Sequence, residues 1–214
     1  MEVLLVRHGD PDYENDTLTE TGHWEAEQLA TSLAGQQLDS IYASPLGRAQ
    51  DTMRYTANLT GLGFVTLDWL EEISAPPVDG LCAWELPGHY SLSANPLPTL
   101  ENWSEESVFG ESLLPFYDRI AAGFDELMST YGYKKAGNMY RVGRETGQRI
   151  ALFCHKGTIL TLLSYLLHWP LPLIFVHLQI SPTGVSRLIW QPSNEHWATP
   201  KSQVLNDLSH LRDR

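Results

Sequence analysis

Apolar runs without alternating polar side chains constrain the fold of this chain most strongly. Residues 2–6 and 149–154 are the clearest examples, since each has the length of a strand and is apolar along most of it. Strands of this kind are covered on both faces, which is typical of parallel sheets that lie between helices. Further strands are predicted at residues 39–44, 64–67, 176–180 and 185–190.

Segments with helical spacing of apolar residues separate these strands. Residues 19–33 form one such segment, with a threonine at its start as the cap and Gly35 after its end as the stop. A second helix is expected to run from Pro45 toward Gly61, and others at residues 111–131, 157–168 and 201–211. The alternation predicts an α/β fold of three layers, α/β/α, with a mainly parallel central sheet.

Two segments fit no regular period. Residues 74–105 carry five prolines and several aromatic residues, so we expect an irregular insertion, either a small packed subdomain or a lid over a site. Residues 132–149 are basic, which predicts a solvated loop, or an anion-attracting border if they lie beside a site. Their charged residues are Lys134, Lys135, Arg141, Arg144 and Arg149 against Glu145. The length of 214 residues suits one domain, 1–214.

Charge and cysteine content exclude several classes of partner. The net charge of −12, from 14 Lys+Arg and 26 Asp+Glu, repels nucleic acid and anionic membranes, so neither is expected as a partner. The two cysteines, Cys82 and Cys154, cannot form a disulfide framework. Because the first residues also lack the pattern of a signal peptide, a cytoplasmic location is expected. The oligomeric state is left open.

Three predicted strands are followed closely by a cationic or titratable side chain. Arg7 and His8 follow the first strand, Arg48 lies shortly after the second, and His155 follows Cys154. Ligands bind at the carboxyl ends of strands in open α/β sheets, so these residues are expected to share one crevice. Guanidinium and imidazole groups, beside the N-termini of the helices that follow Pro45 and Lys156, would form a cradle for phosphate.

Six short motifs follow one another along the chain. They are Leu5-Val6-Arg7-His8-Gly9, Leu18-Thr19-Glu20-Thr21-Gly22, Ser44-Pro45-Leu46-Gly47-Arg48-Ala49-Gln50-Asp51-Thr52, Leu70-Glu71-Glu72-Ile73, Gly110-Glu111-Ser112 and Phe153-Cys154-His155-Lys156-Gly157. In type and order they resemble the motifs of the histidine phosphatase superfamily, which includes the cofactor-dependent phosphoglycerate mutases. The resemblance implies a phosphoglycerate mutase-like fold and covers residues 5–157.

The resemblance also implies roles for individual residues. His8 would be the nucleophile of a phosphoryl transfer, and Arg7, Arg48 and His155 would bind the phosphoryl oxygens. Glu72 would act as general acid and then as general base. Glu71 would take this role if the register of the motif differed by one residue. No cofactor and no metal ion is implied.

The chain departs from the family pattern around His8 and after His155. Many relatives carry a phosphate-binding Asn six residues after the nucleophile, where this chain has Glu14 followed by Asn15. Asn15 would serve only if the loop were one residue longer. Residues 10–13, Asp-Pro-Asp-Tyr, replace the common Glu-Thr continuation and place acids beside His8. Lys156 replaces a Gly, and would either contact substrate or face water.

We therefore expect a metal-independent phosphatase that hydrolyses a small phosphorylated metabolite through a phosphohistidine. Phosphoglycerate mutase-type transfer and a non-catalytic phosphate-binding protein are the alternatives. The presence of Arg7, His8, Arg48, Glu72 and His155 together argues against the non-catalytic form. The net negative charge is compatible with this function, because short-range contacts at the site, within about 8 Å, would supply the affinity.

Overall fold

The computed structural model describes residues 1–144, 147–193 and 195–211. Its strands are β1 (Glu2–Arg7), β2 (Pro11–Asp12), β3 (Thr17–Leu18), β4 (Ser40–Ala43), β5 (Phe64–Thr66), β6 (Tyr133–Ala136), β7 (Met139–Val142), β8 (Arg149–Cys154), β9 (Val185–Trp190), β10 (Trp197–Ala198) and β11 (Pro200–Asp207). Its helices are α1 (Glu20–Ala34), α2 (Gly47–Thr60), α3 (His89–Leu92), α4 (Trp103–Glu106), α5 (Gly110–Thr130), α6 (Lys156–Leu167) and α7 (Leu171–His177).

The central sheet has six strands in the order β11-β9-β1-β8-β4-β5. β1 pairs with β8, β8 with β4, and β4 with β5, all in parallel. β9 pairs antiparallel with β1, and β11 pairs antiparallel with β9 at the edge of the sheet. The predicted mainly parallel α/β sheet is therefore confirmed, with an antiparallel edge.

Alternate side chains of the central strands enter two separate hydrophobic clusters. Leu5 and Leu152 belong to the cluster that α5 and α6 cover, whereas Leu4 and Phe153 belong to the cluster that α1 and α2 cover. Because successive side chains of a strand point to opposite faces, the apolar runs have to be covered twice. This double burial produces the three predicted layers.

Two predicted elements near the C-terminus are wrong. Residues 176–180 were expected as a strand, but α7 extends to His177 and no strand follows before β9. Residues 201–211 were expected as a helix, but β11 pairs antiparallel with β9, and only the turn Ser209–Leu211 is helical, as a 3₁₀ turn. In the second case pairing with β9 overrides the local helical spacing.

The basic segment is a hairpin and not the expected solvated loop. β6 and β7 pair antiparallel, and β10 joins them in a second, three-stranded sheet. The Lys135 ammonium lies over the rings of Tyr140 and Tyr165, at 4.7 and 4.3 Å from their centroids. His168, which caps the C-terminal end of α6, contacts the Asn138 carbonyl oxygen at 3.1 Å. Glu145 lies outside the described residues.

The insertion at residues 74–105 packs against the domain through short elements. Trp103 is buried and its ring lies 5.2 Å from that of Tyr117 on α5. The Trp84 ring meets the Phe175 ring edge to face, with 6.3 Å between their centroids. A Cβ at Gly157 would lie 2.8 Å from the Trp84 ring. The insertion is thus a packed segment that also reaches the N-terminal end of α6. Within the described residues, no helix has both the length and the apolar character needed to cross a bilayer.

Helix α1 packs directly against the loop that follows β1. Thr19 caps α1 by accepting a hydrogen bond from the Gly22 N–H at 3.1 Å, and Gly35 ends it, as predicted. A Cβ at Gly22 would lie 2.2 Å from the Asp10 carbonyl oxygen, and one at Gly9 would lie 2.7 Å from the Gly22 carbonyl oxygen. The loop carrying His8 can therefore approach α1 only because both positions are glycine.

We expect Gly22→Ala to lower the free energy of unfolding by about 1–3 kcal/mol, because the added methyl group overlaps the backbone of the loop. Gly35→Ala is the matched control on the same helix, since its Cβ would meet only ordinary contact at 3.8 Å. Its effect should stay within about 0.5 kcal/mol. Urea unfolding of both variants measures the difference, and equal stabilities would contradict this packing argument.

Candidate active site

The carboxyl ends of β1, β4 and β8 meet at one edge of the central sheet. The parallel register places Arg7 opposite Cys154, so that His8 and His155 follow side by side. Their ring centroids are 5.1 Å apart. Arg48 lies in the first turn of α2, which begins after β4, and its charge acts on both imidazoles. The strand ends thus come together as the sequence predicts.

The His8 imidazole is buried and held in one orientation. Its side chain is 2% exposed, and its Nδ1 lies 2.7 Å from the Gly9 carbonyl oxygen. Because a carbonyl oxygen can only accept, Nδ1 carries the proton and Nε2 keeps its lone pair. Burial lowers the pKa of His8 to about 3, and the Arg7 and Arg48 charges act in the same direction. The imidazole is therefore neutral at physiological pH.

His155 is fully buried beside His8, and one of its ring nitrogens makes no hydrogen bond. Its Nε2 lies 2.8 Å from the Ser44 hydroxyl oxygen, whereas its Nδ1 is buried without a hydrogen-bond partner. Burial lowers the pKa of His155 well below the usual value, and the charges of Arg48 and Arg7 contribute. An unsatisfied buried nitrogen is costly, and this one is available to bind a ligand.

Both guanidinium groups likewise keep an unused nitrogen. Arg7 donates from Nη1 to the Ile180 carbonyl oxygen at 2.7 Å, and Arg48 donates from Nη1 to Asp16 at 2.6 Å. Nε of each is buried without a hydrogen-bond partner. Together with Nδ1 of His155, three buried nitrogens in this region are unsatisfied. Guanidinium and imidazole nitrogens are groups that bind phosphoryl oxygens through charge-assisted hydrogen bonds.

Glu72, and not Glu71, faces this region. Its carboxylate accepts hydrogen bonds from the N–H groups of Gly157 and Thr158, each at 3.1 Å, at the start of α6. Burial raises the pKa of Glu72, while these backbone donors and that of Ile73 offset part of the effect. Glu71 is 40% exposed and lies 3.8 Å from Arg119. Of the two glutamates, Glu72 is therefore the one whose carboxylate lies at the N-terminal end of α6.

The structure contradicts the expectation that two helix N-termini cradle phosphate. The N-terminus of α6 is occupied by the Glu72 carboxylate. The N-terminus of α2 is occupied by Asp16, whose Oδ2 accepts from the Gly47 N–H at 2.6 Å. Each helix dipole is already compensated by a carboxylate of the protein itself. Binding of an external anion at this edge thus depends on side-chain nitrogens.

Asp16 was missed because no local pattern distinguishes it from the other acids of its loop. The departure from the family pattern at Glu14 and Asn15 showed that the loop is altered, but not which residue reaches the site. Asn15 donates instead to Asp12 at 2.8 Å on the surface, so it does not contact this site. Lys156 is 9% exposed at the start of α6, and burial lowers its pKa.

The basic hairpin does not border the site. It contacts the C-terminal end of α6 through His168, whereas Glu72 contacts the N-terminal end of the same helix. A helix of 12 residues separates these ends by about 18 Å. The expected attraction of anions by Lys134 and Lys135 is therefore not supported. Among the residues that the structure describes, no cluster of three His, Cys, Asp or Glu side chains is suited to a metal ion.

Residues 3–202 match the family model of the histidine phosphatase superfamily, branch 1. The chain belongs to this superfamily, which confirms the predicted family. It is 35% identical over 81 residues, 33% of the chain, to the 2,3-bisphosphoglycerate-dependent phosphoglycerate mutase of Thermoplasma acidophilum, of which 40% is covered. It is 27% identical over 141 residues, 59% of the chain, to phosphoserine phosphatase 1 of Hydrogenobacter thermophilus, of which 64% is covered. The matched region spans less than two thirds of either relative.

Solved structures share the fold over nearly the whole chain. One is a mutant phosphoserine phosphatase of Entamoeba histolytica in complex with phosphoserine, with a TM-score of 0.66, 21% identity and 98% of each chain covered. Another is a mycobacterial glucosyl-3-phosphoglycerate phosphatase in complex with VO3, with a TM-score of 0.66, 22% identity, and 96% of this chain and 98% of that chain covered. The likeness confirms the predicted phosphoglycerate mutase-like fold.

The low pKa of His8 makes stability depend on pH. Because the unfolded chain binds a proton near pH 6.5 and the folded one only near pH 3, acidification favours unfolding between these values. We expect wild type to lose about 2 kcal/mol more than His8→Asn between pH 7 and pH 5. Urea unfolding in phosphate-free buffer measures it, and equal losses would mean that His8 titrates normally.

Proposed function

We propose that this protein is a phosphatase that hydrolyses a small phosphomonoester through a phosphohistidine on His8. The proposal rests on one observation: a neutral, buried imidazole with a free Nε2 lies beside three buried nitrogens that lack hydrogen-bond partners. A nucleophile and nitrogens that can bind its electrophile are thereby placed at one edge of the sheet.

In the first step Nε2 of His8 attacks phosphorus and the bond to the leaving oxygen breaks. The hydrogen bond from Nδ1 to the Gly9 carbonyl holds the ring for attack and stabilises the positive charge that develops on it. Arg7, Arg48 and His155 bind the phosphoryl oxygens, whose charge changes little in amount but spreads in the transition state. Glu72 gives its proton to the leaving oxygen, so that a neutral alcohol departs.

In the second step water attacks the phosphohistidine. The Glu72 carboxylate takes a proton from this water, the bond between phosphorus and Nε2 breaks, and inorganic phosphate leaves with His8 neutral again. Glu72 has to be protonated in the first step and ionised in the second. The raised pKa of Glu72, with burial as its main cause, suits a group that alternates between these forms.

The named relatives support a small phosphorylated substrate without identifying it. The two Entamoeba histolytica structures contain phosphoserine and 3-phosphoglyceric acid, and the mycobacterial relative is named for glucosyl-3-phosphoglycerate. All three compounds are small phosphate or glycerate derivatives. We propose a ligand of this size for the present chain. We also propose that the protein is cytoplasmic, and the free thiols of Cys82 and Cys154 support this location.

Incubation with phosphorylated metabolites should release inorganic phosphate and leave an acid-labile, base-stable phosphate on the enzyme after quenching. We expect His8→Ala to lose this adduct and to lower turnover by about 10⁴-fold or more, because the covalent route is removed. Formation of isomers without phosphate release would instead identify a mutase. Absence of turnover with every compound would favour a phosphate-binding protein, and an undiminished adduct in His8→Ala would exclude His8 as nucleophile.

Glu72→Gln should reveal the two roles of the carboxyl group separately. Hydrolysis of an alkyl phosphate should fall by about 10²–10⁴-fold, because its leaving oxygen needs a proton. With p-nitrophenyl phosphate, whose leaving group departs as an anion, we expect a burst of p-nitrophenol followed by slow turnover and accumulated phosphoenzyme. Glu71→Gln is the matched control and should resemble wild type. The assignment fails if both substrates slow equally without a burst.

A further inference from the structure

Asp16 makes two short contacts with the N-terminal turn of α2. Its Oδ1 accepts from Arg48 Nη1 at 2.6 Å, and its Oδ2 accepts from the Gly47 N–H, also at 2.6 Å. The residue lies in the turn between β2 and β3, in a left-handed backbone conformation with φ of 47°. Aspartate tolerates this conformation better than most residues. The turn thus delivers one carboxylate to two donors.

The turn that carries Asp16 fits closely against the N-terminal end of α2. A Cβ at position 47 would lie 2.0 Å from the Asp16 carbonyl oxygen, so glycine is required there for the turn to dock. Leu46, at the N-cap position of α2, has no side chain that can accept a hydrogen bond. Asp16 supplies the acceptor for the Gly47 N–H instead. Burial raises the pKa of the Asp16 carboxyl group, but the hydrogen bonds from Gly47 and Arg48 outweigh this effect and hold the pKa below its usual value. The ion pair is therefore retained at neutral and mildly acidic pH.

The same turn holds Arg48 from a second direction. The Tyr13 ring lies 5.4 Å from the guanidinium carbon, in a cation–π contact. Nη1 is taken by Asp16, and the buried Nε has no hydrogen-bond partner. The Arg48 charge lowers the pKa values of His8 and His155, so the guanidinium acts electrostatically on both rings. One edge of the guanidinium is thus anchored while another stays free within the site.

We propose that Asp16 is a positioning residue, which fixes the guanidinium of Arg48 so that its Nε edge meets the phosphoryl group transferred to His8. The proposal rests on the proposed function. An arginine side chain has many rotamers, and fixing one before the ligand arrives removes that entropy cost from binding and from the transition state.

Orthovanadate binding, measured by titration calorimetry, tests this independently of turnover. We expect Asp16→Ala to weaken binding by about 10- to 100-fold, because Arg48 loses its anchor. Millimolar formate should restore most of the affinity by occupying the gap between Gly47 and Arg48. Asp16→Asn, which keeps one acceptor oxygen, should lose less. Turnover of p-nitrophenyl phosphate by the same variants should fall and recover in parallel.

Thr17→Val is the matched control, because Thr17 ties the same turn to α2 through Asp51, at 2.5 Å, without touching Arg48. It should bind orthovanadate like wild type. If Thr17→Val weakens binding as much as Asp16→Ala and formate restores neither, docking of the turn matters and positioning of Arg48 does not. Unchanged binding in Asp16→Ala would reduce Asp16 to a helix cap, and tighter binding would make it a competitor of the anion; either result overturns the proposal.

The proposed function can fail separately. If wild type binds orthovanadate with the expected dependence on Asp16 but hydrolyses no phosphomonoester, the positioning role stands and the catalytic one does not. If wild type binds no orthovanadate, the anion site itself is refuted together with the positioning role. Wild type with formate alone provides the reference for any direct competition between formate and orthovanadate.

Discussion

The hydrogen bond from His8 Nδ1 to the Gly9 carbonyl oxygen is the interaction on which the rest of the site depends. It fixes which nitrogen carries the proton and leaves the other free, in a place where burial keeps the ring neutral. The loop that makes this bond lies directly against α1, an approach that Gly9 and Gly22 allow. Burial of the ring and one local hydrogen bond thus determine the chemical state of this side chain.

Two carboxylates of the protein itself occupy the helix N-termini in the region of this imidazole. Helix N-termini are general anion-binding sites, yet here Glu72 occupies that of α6 and Asp16 that of α2. What is left for an external anion is a set of buried nitrogens on Arg7, Arg48 and His155. In the proposed mechanism the N-terminus of α6 holds Glu72, the general acid, and the N-terminus of α2 holds Asp16, which positions Arg48. The side chains of Arg7, Arg48 and His155 bind the phosphoryl group.

Local signals explain which features could be predicted from the sequence. The double-sided apolar runs identify the sheet, and the cap at Thr19 and the stop at Gly35 bound α1 within one or two residues. Residues 201–211 were wrongly expected to be helical because the pairing of β11 with β9, in which Pro200 lies opposite Trp190, leaves no trace in the spacing of their own apolar residues. The contacts of Asp16 and Glu72 join loops to helices 31 and 85 residues away, and no local period encodes them. Ordered motifs located the site, whereas long-range packing decided its electrostatics.

The most direct test of this account is the protonation state of His8 itself. Nitrogen-15 NMR of protein labelled in its histidines distinguishes the two neutral tautomers from the imidazolium. The account requires His8 to remain neutral, with its proton on Nδ1, from pH 8 down to pH 5, since burial lowers its pKa to about 3. A proton on Nε2, or titration near pH 6.5, would contradict it and remove the nucleophile on which the proposed mechanism rests.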